Sequence, residues 1–523
     1  MTGLFDVAVV GSGFAGSLAA MLARRVGRSV VLIERGSHPR FAIGESSSPL
    51  ANLLLEELCA RYELPRVRPL AAWGSWQREH PLISGGLKRG FTFYAHTFGH
   101  PFEADPERRN QLLVAASPND DVADTHWYRA DVDRFLMEEA ARLGAEYLDR
   151  TEIASLQRPN GGFELSARRE GRGRTLQARF VIDASGPGGF LSRALGLPSA
   201  RFPALPASRG LYTHFRDVRR LDEMGIHPSL ERPPYPVDDA AVHHVFPGGW
   251  IWVLRFNNGA TSAGVAAAPE LADSLRLQEG APAWERLLEK LPTVREQFAC
   301  ARPVLPFMYR ERLPFRTERA AREDWALLPS AAAFVDPILS TGFPLTLLGL
   351  ERLATILETE WGRPSFPRAL ERYGDRTLFE ADAAARLVSA LYARFTDFPA
   401  FAALTLLYFA AAGFAEAARR LGRPELAGSF LCADHPAFGP ALRRCCGMAL
   451  DPETDRGALI REVRAAIEPL DVVGLSDESR RNWYPVEPGD LMAARHKLGA
   501  TKSEIEALLR RSGLVAEPTA APG

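Results

Sequence analysis

The tightest constraint on the fold lies in the first 35 residues. Leu4 to Val10 is an apolar run that reads as a strand, and Gly11-Ser12-Gly13-Phe14-Ala15-Gly16 follows it as G-x-G-x-x-G. A helix is expected over Gly16 to Val26 and a second strand over Ser29 to Glu34, with Glu34 placed 23 residues after Gly11. A lone glycine pattern carries little weight, but one set between a strand and a helix, with an acid ending the next strand, is a dinucleotide fingerprint. Gly11 permits the tight turn, Gly13 lets the backbone approach a pyrophosphate, and Gly16 lets the helix pack on the strand. The helix N-terminus then faces the phosphates, and Glu34 bonds the ribose hydroxyls. Phe14, Ala15 and Arg35 complete the expected cofactor contacts of this α/β, Rossmann-type domain.

Composition narrows the partners. The chain has 523 residues and a net charge of −1, without the basic excess that phosphate binding requires, so a nucleic-acid partner is not expected. Cys59, Cys300, Cys432, Cys445 and Cys446 fit neither a metal spacing nor a disulfide framework. No metal site is expected, and a reducing cytoplasm fits. The glycine-interrupted N-terminus does not read as a signal peptide. Phe398 to Ala415 carries no charge but contains Pro399 and many alanines, so a buried helix is expected rather than stable membrane insertion.

Further elements follow from periodicity. An amphipathic helix is expected over Asp131–Leu143 and a buried strand over Phe180–Ala184. A β-hairpin is expected from His244 to Ala268, turning at Asn257-Asn258-Gly259. Ala326 to Phe334 is apolar. Helices are expected over Pro344–Trp361, Ala369–Leu387, Ala400–Leu421, Arg456–Ile467 and Ser503–Arg511, and the Ala/Pro/Gly-rich tail from Val515 as disordered.

Several motifs resemble FAD-dependent monooxygenase-like proteins of the p-hydroxybenzoate-hydroxylase-type fold. Tyr128-Arg129-Ala130-Asp131-Val132-Asp133 resembles that family's Arg-x-x-x-Asp helix start, which implies Arg129 beside the flavin. Phe180 to Gly186 is similar to its strand ending in Asp-x-x-Gly, implicating Asp183 and Gly186. Phe334-Val335-Asp336-Pro337 resembles the late strand whose aspartate bonds the ribityl chain. No second G-x-G-x-x-G follows a strand, so reduced FAD is expected from a separate flavin reductase.

The most specific pattern is F-x-x-P-x-x-S-x-G, present as Phe334 to Gly342, which resembles the flavin-dependent halogenases. Ser340, Thr341 and Gly342 precede a helix expected to carry Pro344 in its first turn. Free amides at a helix start stabilise an anion, here chloride or bromide. The same loop also serves flavin in ordinary monooxygenases. Gly44-Glu45-Ser46-Ser47-Ser48-Pro49 resembles the family strap linking flavin and substrate sites, so Ser46 is expected on the cofactor and Glu45 to orient the strap or the catalytic lysine. Lys88-Arg89-Gly90-Phe91-Thr92-Phe93 resembles the Lys-x-Gly segment of the phenol and pyrrole enzymes. Its lysine receives hypohalous acid made from reduced FAD, O2 and halide, and passes electrophilic halogen to the ring. Guanidinium is always protonated and a poor nucleophile, so arginine cannot substitute. Lys88 is one of only four lysines in the chain.

Two departures accompany the resemblance. Trp250-Ile251-Trp252-Val253-Leu254-Arg255 is similar to the family's W-x-W-x-I-P but ends in Leu254 and Arg255, which leaves an FAD monooxygenase of the same fold as an alternative. Leu339 stands where tryptophan halogenases carry glutamate, which favours a phenol or pyrrole, free or carrier-tethered. Phe93, Trp250, Trp252 and Pro337 are the expected substrate contacts. The expected organisation is an FAD domain over 1–365, interrupted by a β-sheet substrate subdomain (about 50–125 and 195–320), then a helical region over 366–514. A non-catalytic flavin- or carrier-binding module is the second alternative.

Overall fold

The computed structural model describes residues 3–159, 161–227 and 232–514. The tail from Val515 lies outside them. At the centre of the first sheet, Leu4–Val10 pairs in parallel with both Val30–Ile33 and Arg172–Asp183. Val7 to Val10 and Val30 to Ile33 are buried on both faces, as near-continuous apolar runs in parallel sheets require. The shared register sets Val10 beside Ile33 and Asp183, so Gly11, Glu34 and Ala184 leave the sheet at one edge. Phe14–Arg25 is the crossover helix. Trp325–Leu327 extends the sheet beyond Arg172–Asp183, and Glu146–Leu148 extends it beyond Val30–Ile33.

A second sheet is built around Gly90–Ala95, Gln111–Ala115, Arg209–Arg216, Ala241–Phe246, Gly249–Arg255 and Thr261–Ala267. The hairpin turning near Asn257-Asn258-Gly259 is present, but His244 belongs to the strand before it. The turn at Pro247-Gly248 makes a three-strand meander instead. Alternation divides the residues of this sheet: Phe91, Phe93, Trp250, Trp252 and Leu254 join the core shared with the C-terminal helices. Tyr94, Ile251 and Val253 join a second core with Trp284 and Phe298.

The apolar stretch becomes the Phe398–Arg420 helix, capped by Asp397, whose side chain accepts from the Ala400 amide. It is long and apolar enough to cross a membrane, yet 83% of its most apolar window is buried inside the protein, so it serves as a core helix. Phe366–Ala393 is longer than expected, and Phe438–Leu450 is a helix the periodicity did not reveal. Residues 366–514 are not purely helical, because Trp483–Tyr484 returns to pair in parallel with Leu113–Val114. A separate two-stranded ribbon joins Gly85–Lys88 to Asp124–Trp127, with Lys88 opposite Asp124.

Candidate functional site

The glycine loop is shaped as the fingerprint requires. Gly11 has φ +101°, and a side-chain carbon there would stand 2.6 Å from Ala184 O. One on Gly16 would stand 1.8 Å from Gly11 O, so the helix reaches the strand only without it. The space beside Gly13 is bordered by the Arg129 and Arg40 guanidiniums, at 3.4 and 3.6 Å from where a Cβ would sit. Glu34 accepts from Ser12 N (3.0 Å), Ser12 Oγ (3.1 Å) and Gly36 N (2.9 Å), and Arg40 lies 3.4 Å away. Burial opposes its ionisation, but Arg40 and these donors outweigh burial and hold its pKa below the usual carboxylate value. Arg35, expected among the cofactor contacts, has an exposed side chain, and Arg40, carried back by the turn at Ser37-His38-Pro39, lies beside Glu34.

Arg129 pairs with Asp133 through two nitrogens (2.7 and 2.8 Å) and donates to the carbonyls of Ile43 and Gly44 at 3.0 and 2.9 Å. It thereby fixes the start of the strap. Its guanidinium lies over Phe14, which stacks on Phe343 at 4.7 Å and ties the glycine loop to the halide-motif helix. Ala15 is buried in the first helical turn. Asp183 is occupied locally, accepting from Ser185 N and Oγ and from Leu191 N, so its carboxylate shapes the loop containing Gly186.

The strap and the lysine meet. Lys88 is fully buried, and its Nζ donates to Ser46 Oγ (2.9 Å) and Ser47 O (2.5 Å) and lies 3.6 Å from the centre of the Phe91 ring. Burial pushes its pKa down to about 7, with Asp124 opposing. Glu45 ties the strap to neighbouring strands and not to Lys88: His214 Nε2 lies 2.8 Å from its Oε1, and Trp127 N donates to its backbone oxygen at 2.6 Å. Ser48 caps the following Pro49–Arg61 helix. Sequence reasoning missed Asp124, Asn52, His214 and Arg40, whose roles depend on pairing across distant segments.

Around Lys88 the walls are aromatic. Phe93 stacks on His243 at 4.2 Å and meets Phe401 edge-on at 5.8 Å, and Phe91 meets Phe409 at 5.1 Å. His243 points Nδ1 at Thr92 O (3.1 Å), which places the proton there and leaves Nε2 an acceptor. Burial drives its pKa down to about 3, so it stays neutral. Trp250 lies 5.3 Å from His243, whereas the Trp252 indole is tied to Ser262 Oγ. Arg255, at the departed end of the tryptophan motif, pairs with Asp238 across the rim of the sheet.

The Phe334 to Gly342 segment, which resembles the halogenase pattern, contains a 3₁₀ turn over Ile338–Ser340 and leads into the Gly342–Thr359 helix. Pro344 is therefore the third helical residue, not the first. Leu339 and Ser340 both adopt positive φ, +63° and +53°, a strained pair held by the packing around it. Ser340 and Thr341 are buried and Gly342 is exposed. The first-turn amides have no partner within the helix. Asp336 accepts from Trp250 Nε1 (3.2 Å), Ile338 N (3.0 Å), Tyr392 OH (2.8 Å) and Ser208 Oγ (3.4 Å). It therefore braces the loop, and burial raises its pKa to about 6. Pro337, beside it, is half-buried.

The family model described as FAD dependent oxidoreductase matches residues 6–326. Monodechloroaminopyrrolnitrin halogenase of Pseudomonas fluorescens is 30% identical over 408 residues, 75% of this chain and 69% of that protein. Tetracycline 7-halogenase of Kitasatospora aureofaciens is 29% identical over 65% of this chain, which spans 61% of that protein, less than two thirds of its length. A crystal structure of halogenase PltM with phloroglucinol and FAD shares the fold, with a TM-score of 0.79 at 24% identity over 91% of this chain and 99% of that one.

Proposed function

The chain belongs to the flavin-dependent halogenase family, and from that membership we propose that it chlorinates or brominates an electron-rich aromatic ring, a phenol or pyrrole, through Lys88. The observation that carries this reading is the burial of Lys88 beneath the strap, against aromatic walls and with a pKa near neutrality. An exposed lysine would remain an ammonium at physiological pH.

The glycine loop fits a dinucleotide: side chains at Gly11 or Gly16 would fill it, and two guanidiniums border Gly13. FAD would be held by Gly11, Gly13, Gly16 and Glu34, and when reduced by a separate flavin reductase it supplies, with O2, the oxidant that turns halide into hypohalous acid. Thr341 and Gly342 would hold the halide at the helix start. The Lys88 amine then takes up the halogen, forming N–X and releasing water. The ring carbon replaces its C–H bond with C–X, and the amine is regenerated. Ser46 and Ser47 aim the amine, and the aromatic walls exclude water and orient a flat ring. His243 Nε2 offers an acceptor for a substrate O–H or N–H.

The test combines purified protein, FAD, a flavin reductase, bromide or chloride, and free and carrier-tethered phenols and pyrroles. Wild type is expected to give halide-dependent halogenated product, and Lys88→Met and Lys88→Arg to lose at least about a hundredfold in kcat/KM. Equal halogenation by both variants sinks the role of Lys88. Products gaining one oxygen and no halogen establish the monooxygenase alternative, toward which Arg255 points. Absence of both product and flavin spectrum establishes a non-catalytic module.

A further inference from the structure

A buried lysine needs an explanation for its charge, because an isolated ammonium in an apolar site is costly. Neither acceptor of Lys88 Nζ is charged. The acid that faces it is Asp124, its register partner on the paired strand. Both side chains are buried, Lys88 at 0% and Asp124 at 4% exposure. Asp124 Oδ1 accepts from Asn52 Nδ2 at 3.0 Å, and Asn52 Oδ1 accepts from Ser47 Oγ at 2.8 Å. Ser47 is the residue whose carbonyl holds Lys88, so one chain of bonds fixes acid, strap and amine together. Asp124 Oδ2 is enclosed and has no donor. A carboxylate oxygen left so is poorly stabilised as an anion and better as a carboxylic acid.

We propose that Asp124 is a positioning residue for Lys88: the two groups, facing each other across the ribbon without a direct bond, titrate as a coupled pair, and Asp124 thereby sets the fraction of Lys88 present as free amine near neutral pH. This deepens, and rests on, the assignment of Lys88 above.

The remaining charged and titratable neighbours do not supply this balance. His126, on the strand of Asp124, and His243, on the adjoining sheet, both sense Lys88, and burial keeps both neutral near pH 7. From the Phe398–Arg420 helix, Glu416 and Arg420 reach Asp124 electrostatically but pair with each other at 2.9 Å, and Tyr408 is held in its neutral phenol form by burial. Burial pushes Lys88 down to about 7 and Asp124 up to about 8, each opposed by the other's charge. Two such groups titrate as a pair.

The small number of lysines makes the test direct. With lysine labelled at 13Cε, the wild-type spectrum holds four titrating signals. Lys290→Arg, Lys497→Arg and Lys502→Arg assign three, leaving Lys88. The Lys88 midpoint is expected near 7, about three pH units below the ordinary lysine value of about 10.4. In Asp124→Asn it is expected to fall by about one pH unit or more, and in Asp124→Glu to return toward wild type. The acid limb of kcat/KM for halogenation moves in the same direction. A wild-type Lys88 that titrates with the other three overturns the proposal, and this result stands even if Asp124→Asn fails to fold. A Lys88 midpoint unmoved in folded Asp124→Asn overturns it as well. A shifted Lys88 in a protein that halogenates no substrate leaves the coupling with Asp124 intact and removes the halogenase reading.

Discussion

Gly16 shows how one missing methyl group decides a binding site. A Cβ there would sit 1.8 Å from Gly11 O, backbone against backbone, so the helix must move or the turn must open. Gly16→Ala is expected to cost about 1–3 kcal/mol, read as a lower melting temperature, and to abolish bound flavin absorbance. Gly447→Ala has open space and lies in the last turn of the Phe438–Leu450 helix, so it is expected to stabilise by about 0.5 kcal/mol. The glycines and Glu34 were legible because their meaning is local: six consecutive positions and one strand end. Arg40 was not legible, because a turn brings it back to Glu34 and nothing in a linear pattern gives the direction of that turn. Asp124 was invisible for a related reason, since its significance is a strand register with Lys88.

At the scale of elements, the bracing of the halide-motif loop is distributed. Asp336 gathers Ser208, Trp250 from the second sheet and Tyr392 from the Phe366–Ala393 helix onto one carboxyl group. Tyr392→Phe removes one donor while leaving the ring packed on Phe395 at 4.5 Å. The expected loss is about 1–2 kcal/mol by thermal melting, with a weaker apparent affinity for halide in the rate assay. Of the helices, Arg456–Ile467 matched its expected span because Asp455 caps it and large aliphatic residues mark its face. Phe438–Leu450 escaped because Gly439, Ala441, Cys445 and Cys446 make up much of its buried face, and small residues leave a faint period.

For the whole molecule, acid sensitivity follows from buried histidines. His96, His126, His243 and His244 are all held below the ordinary histidine pKa by burial. Between about pH 6.5 and the native values, the unfolded chain binds more protons than the folded one, so stability is lost as pH falls. Each histidine contributes up to about 1.4 kcal/mol per pH unit in that window. Asp124, Asp183, Asp238, Asp324 and Asp336 have the opposite sign, since burial raises their pKa values and makes the folded state the better proton binder above about pH 4. His244→Gln removes one histidine contribution, so its melting temperature relative to wild type is expected to rise as pH falls from about 6.5 to about 4.5. A difference between His244→Gln and wild type that stays constant across this range contradicts the accounting.

The two-residue strand Trp483–Tyr484 closes the edge of the second sheet at Leu113–Val114, and the Trp483 indole bonds Gln111 across 372 residues of chain. During synthesis that edge therefore waits. At about 5–20 residues per second, the ribosome needs about 20 to 75 seconds to deliver the closing strand. Throughout that interval Gln111–Ala115 offers unpaired backbone to any neighbouring nascent chain. The timing of translation is thus part of how this sheet is finished, and slowing the ribosome late in the message lengthens the time in which wrong pairings compete.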